Sequence, residues 1–124
     1  MKLLGKKLWA FADGLIPFES NGPEPKNTSH DRLSILNTAI IDAYLEITIY
    51  YADKDPIGPY KLIVKGCRVR QIRINDLIDP EAIPLDTPYG CTIVSSVPII
   101  IQFSRLDTSL PHKSIFSTLP YCAN

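Results

Sequence analysis

Apolar and polar positions alternate strictly through residues 44–51, with Tyr44, Glu46, Thr48 and Tyr50 on one face and Leu45, Ile47, Ile49 and Tyr51 on the other. A period of two carried by aromatic and β-branched residues predicts a half-buried β-strand. The prolines Pro56 and Pro59 in the next segment withhold amides that a ladder needs, and residues 60–64 predict the returning strand of a hairpin. After a turn at Lys65-Gly66, residues 67–74 predict a third strand. Arg68 and Arg70 share one face there, and Arg73 lies on the other with Val69; a bulge near Gln71 would reunite the three arginines. Residues 8–12, 31–37 and 115–119 are shorter strands. Residues 92–95 and 99–106 predict a pair joined around Val97-Pro98, and the unbroken run Ile99-Ile100-Ile101 predicts a central strand covered on both faces.

Two long Pro-rich segments, 17–28 and 75–89, predict irregular loops of the kind that carry function. No window of a dozen residues keeps a helical spacing without meeting proline. About eight short strands joined by long Pro-rich loops predict an all-β fold, an antiparallel sandwich or jelly-roll-like barrel. At 124 residues the chain fits a single domain spanning 1–124, long enough to bury a core without staples.

Composition narrows the partners. Hydrophobic residues make up 45% of the chain, too many for a disordered one. Thirteen Lys and Arg balance thirteen Asp and Glu, which argues against a dedicated nucleic-acid binder. No apolar run approaches the ~18 residues of a membrane span. The stretch 8–12, closed by Asp13, is too short for a secretory signal core. Cys67, Cys91 and Cys122 are an odd number without a CxxC pair, which points to a reduced, cytoplasmic protein with no structural zinc site.

Ser29-His30-Asp31 puts a hydroxyl, an imidazole and a carboxylate in succession. Successive residues of a strand point to opposite faces, so the triplet makes a poor catalytic triad. His30 instead reads as a strand entry or a ligand contact, and His112 as an exposed loop residue. Asp76, Asp79, Glu81 and Asp86 lack calcium-loop spacing and read as a solvated acidic loop. Lys61, Lys65, Arg68, Arg70 and Arg73 offer a DNA-binding surface if the fold gathers them on one side, unless the acidic loop that follows neutralises them.

The most informative polar groups sit in β contexts that should be buried: Glu46, Asn37, Arg105 and Asp107. Arg105 demands an acid as a buried structural partner. Alternatively it faces, with His30, a small anionic or hydroxylated ligand in a polar pocket at one end of the sandwich, walled by Trp9. A third reading is a carbohydrate-processing enzyme using Glu24 or Glu46 with Asp107 as paired carboxylates. No cofactor motif and no metal-ligand spacing stands out.

An ordered set of residues carries a further signal: Asn21-Gly22-Pro23-Glu24-Pro25, Ser29-His30, the strand from Glu46 to Tyr51, Asp53-Lys54, Pro56 and Gly58-Pro59-Tyr60. It continues through Arg73, Asn75-Asp76-Leu77, Asp79-Pro80, Ile83-Pro84, Gln102 and Arg105-Leu106-Asp107. Together, from Trp9 to Leu119, the set resembles the sensory rhodopsin transducer family. The resemblance implies an all-β sandwich that assembles as a homotetramer in the cytoplasm, binds a sugar-like or related small molecule, and relays a signal from a membrane photoreceptor, with DNA as a further partner. Phe103 stands where the photoreceptor-linked pattern has a His. On this reading the protein is a non-enzymatic signalling module without a cofactor. The candidates for the pocket are Trp9, Glu24, His30, Asn37, Arg73, Asn75, Arg105 and Asp107.

Overall fold

The computed structural model describes residues 3–18, 29–108 and 114–124. Eight antiparallel strands run in chain order: β1 (Lys6–Gly14), β2 (His30–Asn37), β3 (Ala43–Tyr50), β4 (Ile57–Val64), β5 (Arg68–Arg73), β6 (Tyr89–Asp107), β7 (Ser114–Thr118) and β8 (Tyr121–Ala123). A single 3-10 turn, Ile74–Asp76, follows β5. Among the described residues no helix is long and apolar enough to cross a membrane.

The ladder divides into two sheets that share β6. Its first half pairs with β3 and β1, giving the order β4-β3-β6-β1-β8. Its second half pairs with β2 and β7, so that the other sheet reads β5-β2-β6-β7. Inward residues of both sheets join in one core, with Ile47, Ile49 and Ile93 from the first meeting Leu33, Ile35 and Ile101 from the second. The architecture is therefore the antiparallel, jelly-roll-like sandwich that the alternation predicts.

Residues 92–95 and 99–106 are not separate strands. β6 is continuous for 19 residues, and its burial alternates without a break from Tyr89 to Phe103. Pro98 is tolerated because it sits where β6 passes from one set of partners to the other. Ser95 is the last residue paired with β3 and Ile100 the first paired with β2, and the β1 ladder shifts register between Val94 and Ile99, so the missing amide falls where no regular pairing needs it. β6 is central, as the apolar run requires, but not covered on both faces: Ile99 and Ile101 are buried, Ile100 is half-buried and Gln102 is exposed.

Two further expectations fail. β5 pairs with β2 in unbroken register from Arg32↔Arg73 to Asn37↔Arg68, so no bulge near Gln71 reunites the arginines. Glu46 is exposed rather than buried, because the Tyr44–Tyr50 face of β3 is the solvent face; it lies opposite Lys61 of β4. β8 pairs with β1 at Trp9↔Cys122; its three residues are too few to show a period.

Asn37 explains how β2 and β4 end together. Its buried Nδ2 donates to the carbonyls of Ile41, Val64 and Lys65 at 3.0, 3.1 and 3.3 Å, while Oδ1 accepts from the Ala39 amide at 2.9 Å. One side chain thus ties two turns together. The same close approach explains Gly66, where a Cβ would stand 1.9 Å from the Ile40 carbonyl oxygen. The Gly66 amide donates to Asp42 at 3.0 Å, and this bond, more than the nearby Lys65, holds the Asp42 carboxyl below its ordinary range.

Candidate functional site

β2 and β6 bring Asp31 and Arg105 opposite each other at one end of the second sheet. Alternation puts Asp31 on the core-facing side with Leu33 and Ile35, where it is wholly buried. A carboxylate without water needs a cation and donors. Arg105 Nε donates to Asp31 Oδ1 at 2.7 Å, the Tyr89 hydroxyl donates to Oδ2 at 2.7 Å, and the Leu15 amide donates to Oδ2 at 3.0 Å. Arg105 Nη2 also donates to the Asp13 carbonyl at 2.6 Å, and the guanidinium lies 5.2 Å from the Phe116 ring centroid.

Arg105 therefore has the acidic partner that its burial demands. The carboxylate fastens β2, β6 and the end of β1 to one another. Tyr89 reaches it because Gly14 lies opposite; a Cβ there would stand 2.3 Å from the tyrosine ring. Burial first, and the Asp31 charge second, push the Tyr89 phenol far above its usual range. Burial likewise raises the neighbouring Cys91 thiol.

A second set of polar groups surrounds this end. The buried Ser29 hydroxyl accepts from the Thr108 amide at 2.8 Å, closing the start of β2 onto the end of β6. Asn75, in the 3-10 turn, donates to the Ser29 carbonyl at 3.1 Å. Its Oδ1 is buried, and among the described residues no donor lies in hydrogen-bond reach. Arg73 pairs in register with Arg32, whose Nε donates to Ser104 at 3.2 Å.

Five of the sequence candidates thus gather at one end: His30, Arg73, Asn75, Arg105 and Asp107. They occupy two faces. Arg105 and Asp107 continue the core-facing positions of β6, whereas His30 pairs with Leu106 and Arg73 with Arg32 on the opposite face. Trp9 is buried in the first sheet opposite Ile93, with its indole nitrogen donating to the Lys6 carbonyl at 3.0 Å. Asn37 lies at the far end of β2, about 23 Å from His30 at the usual strand rise. Glu24 and His112 fall outside the described residues.

The carboxylate pair of the enzymatic reading does not form from Glu46 and Asp107. Glu46 is opposite Val94 on the solvent face, and Asp107 lies at the other end of β6, on the order of 40 Å along the strand. Nor does the acidic loop neutralise Arg68 and Arg70, whose guanidinium groups donate to the carbonyls of Cys67 and Ile63 at 3.0 and 2.7 Å. Among the described residues, no three His, Cys, Asp or Glu side chains converge to hold a metal ion. Cys67, Cys91 and Cys122 are free thiols.

Asp31, Tyr89 and Thr108 are the site residues that local reasoning did not select. Tyr89 reads as the end of a loop, and only its long-range partner, 58 residues away, gives it a role. The signal available was Asp31, a charge on the apolar face of an otherwise regular strand.

The fold and this rim define a small antiparallel β-sandwich protein whose one end is pinned by a buried Asp–Arg–Tyr network and bordered by further polar groups. Comparison with known proteins makes that class specific. The chain belongs to the Anabaena sensory rhodopsin transducer family, whose model matches residues 4–122. It is similar to the solved structure of the Anabaena sensory rhodopsin transducer, with 50% identity and a TM-score of 0.74 over 81% of this chain and 87% of that one. A Thermotoga maritima protein of known crystal structure is 30% identical, with a TM-score of 0.86 over 96% of both chains. No curated protein sequence matches the chain.

Proposed function

We propose that the chain is a single-domain, non-enzymatic signalling module of the cytoplasm. In this reading it acts as a homotetramer, binds a small hydroxylated or anionic metabolite at the rim, and relays a signal from a membrane photoreceptor of the sensory rhodopsin kind. The observation that carries the reading is the 50% identity to the Anabaena sensory rhodopsin transducer. The rim chemistry supports the ligand. Asn75 Oδ1 offers a buried acceptor to a ligand hydroxyl or amine, while Arg73 and His30 supply charge and polarity beside it. Arg105 is a strut in this scheme, since its Nε is committed to Asp31.

A thermal-shift screen of sugars, sugar acids and small organic anions tests the ligand. A true ligand raises Tm in a concentration-dependent way, and Asn75→Leu abolishes the rise. If no compound raises Tm, the ligand reading fails. Light scattering coupled to gel filtration checks the tetramer, and a monomer overturns it. Co-purification with a detergent-solubilised sensory rhodopsin checks the partner, and its absence from the complex overturns the relay.

A further inference from the structure

The two sheets leave open edges, and three differ from the fourth. β4 carries Pro59, and the Arg70 guanidinium is seated on its Ile63 carbonyl. β8 is only three residues long. β7 is five residues long and uncharged. β5 runs for six residues without proline or bulge and, among the described residues, pairs only with β2. Arg68, Val69, Arg70 and Gln71 are all exposed. In an antiparallel edge strand every second residue turns its N–H and C=O away from the sheet. β5 therefore presents a regular row of backbone groups that pair with no other strand among the described residues.

Its charge says what can lie against that row. A second copy of β5 would set arginines against arginines, which disfavours self-pairing. The guanidinium groups of Arg68 and Arg70 rest on backbone carbonyls, which a carboxylate outcompetes as an acceptor for a cation. Arg68 and Arg70 share one side of the strand, and on the other side Val69 is 64% exposed. Beside Arg70 lies a surface recess of about 460 Å³ lined also by Tyr44, Lys61 and Ile63.

We propose that β5 docks an extended acidic segment of a partner protein by strand addition. The segment carries Asp or Glu at alternate positions facing Arg68 and Arg70, and an apolar residue between them that covers Val69. Backbone pairing supplies the binding, and the alternate side chains supply the selectivity. This surface lies apart from the rim and does not depend on a small-molecule ligand.

The test uses fluorescence anisotropy of the whole protein with a capped eight-residue peptide alternating Glu and Val. The expected result is saturable, salt-sensitive binding. Replacing the central Val by Pro should abolish it, because charge is kept but the strand is broken; replacing Glu by Lys should abolish it too. Arg70→Glu and Arg68→Glu should each weaken binding about tenfold or more, while Asn75→Leu leaves it unchanged. Amide exchange within residues 68–72 should slow when the peptide is bound. Equal binding of the proline peptide overturns strand addition. Displacement of the peptide by duplex DNA at equal charge marks a general polyanion surface and overturns the selectivity. No anisotropy change at about 1 mM peptide overturns the proposal outright.

Discussion

Arg105→Met is the sharpest test of the buried network. The substitution preserves most of the volume and the apolar stem but removes the cation from a carboxylate that is fully enclosed. Asp31 loses its 2.7 Å donor from Arg105 and keeps the Tyr89 hydroxyl and the Leu15 amide. Breaking a buried pair from one side typically costs about 3–5 kcal/mol. The two remaining donors put the expected loss at the lower end, about 3 kcal/mol. For a chain of this length that is roughly a 12 °C fall in Tm, and a large share of a total stability of about 5–15 kcal/mol. Urea denaturation followed by the fluorescence of Trp9, the single tryptophan, reads it directly at fixed protein concentration. The double variant Asp31→Asn with Arg105→Met removes the unpaired charge and should recover at least about 1 kcal/mol relative to Arg105→Met alone. A loss below about 1 kcal/mol in the single variant, or no recovery in the double, would refute the view that Arg105 serves Asp31.

Asn37→Ala should cost about 2–3 kcal/mol, since it strands the carbonyls of Ile41, Val64 and Lys65 and the Ala39 amide; Asn37→Asp should be worse in a thermal melt at pH 7, because it aims a carboxylate at three carbonyls. Stability should also fall in alkali. Folding raises the pKa of Cys91 above its ordinary 9.0 and of Tyr89 above its ordinary 10.0, so the unfolded chain gives up these protons first. The stabilisation is complete below pH 9 and declines as pH climbs past each ordinary value, by up to about 1.4 kcal/mol per pH unit per group. Tyr89→Phe should flatten that decline above pH 10, and an unchanged slope contradicts the assignment. Gly14→Ala drives a methyl into the Tyr89 ring and should cost about 1–3 kcal/mol; the penalty should shrink in a Tyr89→Leu background, and equal penalties in both would sink the packing argument.

The strands were largely readable because buried and less buried positions alternate along them, most regularly in β3 and β6, and a period of two needs no long-range information. The mistakes share a cause. Pro98 reads as a break from local propensity, yet its tolerance depends on which strands flank it. Glu46 reads as a buried charge only if the wrong face of β3 is taken as the core, and that choice is made by β6 and β4, not by β3. The site was less readable still. Arg105 announces a need for an acid, but the chain holds thirteen Asp and Glu that compete for it on paper. Register alone selects Asp31, 74 residues away. Tyr89 has no local signal at all, because its role comes from a glycine in β1 and a carboxylate in β2.

Adjacent positions in β2 assign different work to the two faces of one sheet. Asp31 turns into the sandwich and is consumed by three donors. His30, one residue earlier, turns the other way and stands beside the Leu106 position of β6. A pocket needing both Arg105 and His30 would have to reach through the sheet, which a closed antiparallel ladder does not permit. The polar end is therefore two structures built back to back. The inner one is a clamp whose loss loosens β1, β2 and β6 together. The outer one, around Arg73 and His30 with Asn75 at the adjoining turn, is held in place by that clamp through Ser29 and Thr108. Removal of the clamp would weaken any rim ligand indirectly, so a binding defect in an Arg105 variant says nothing about contact unless its stability is measured alongside. The same control applies to Asn75, because its amide also donates to the Ser29 carbonyl at 3.1 Å and a substitution there removes that tie along with the spare acceptor.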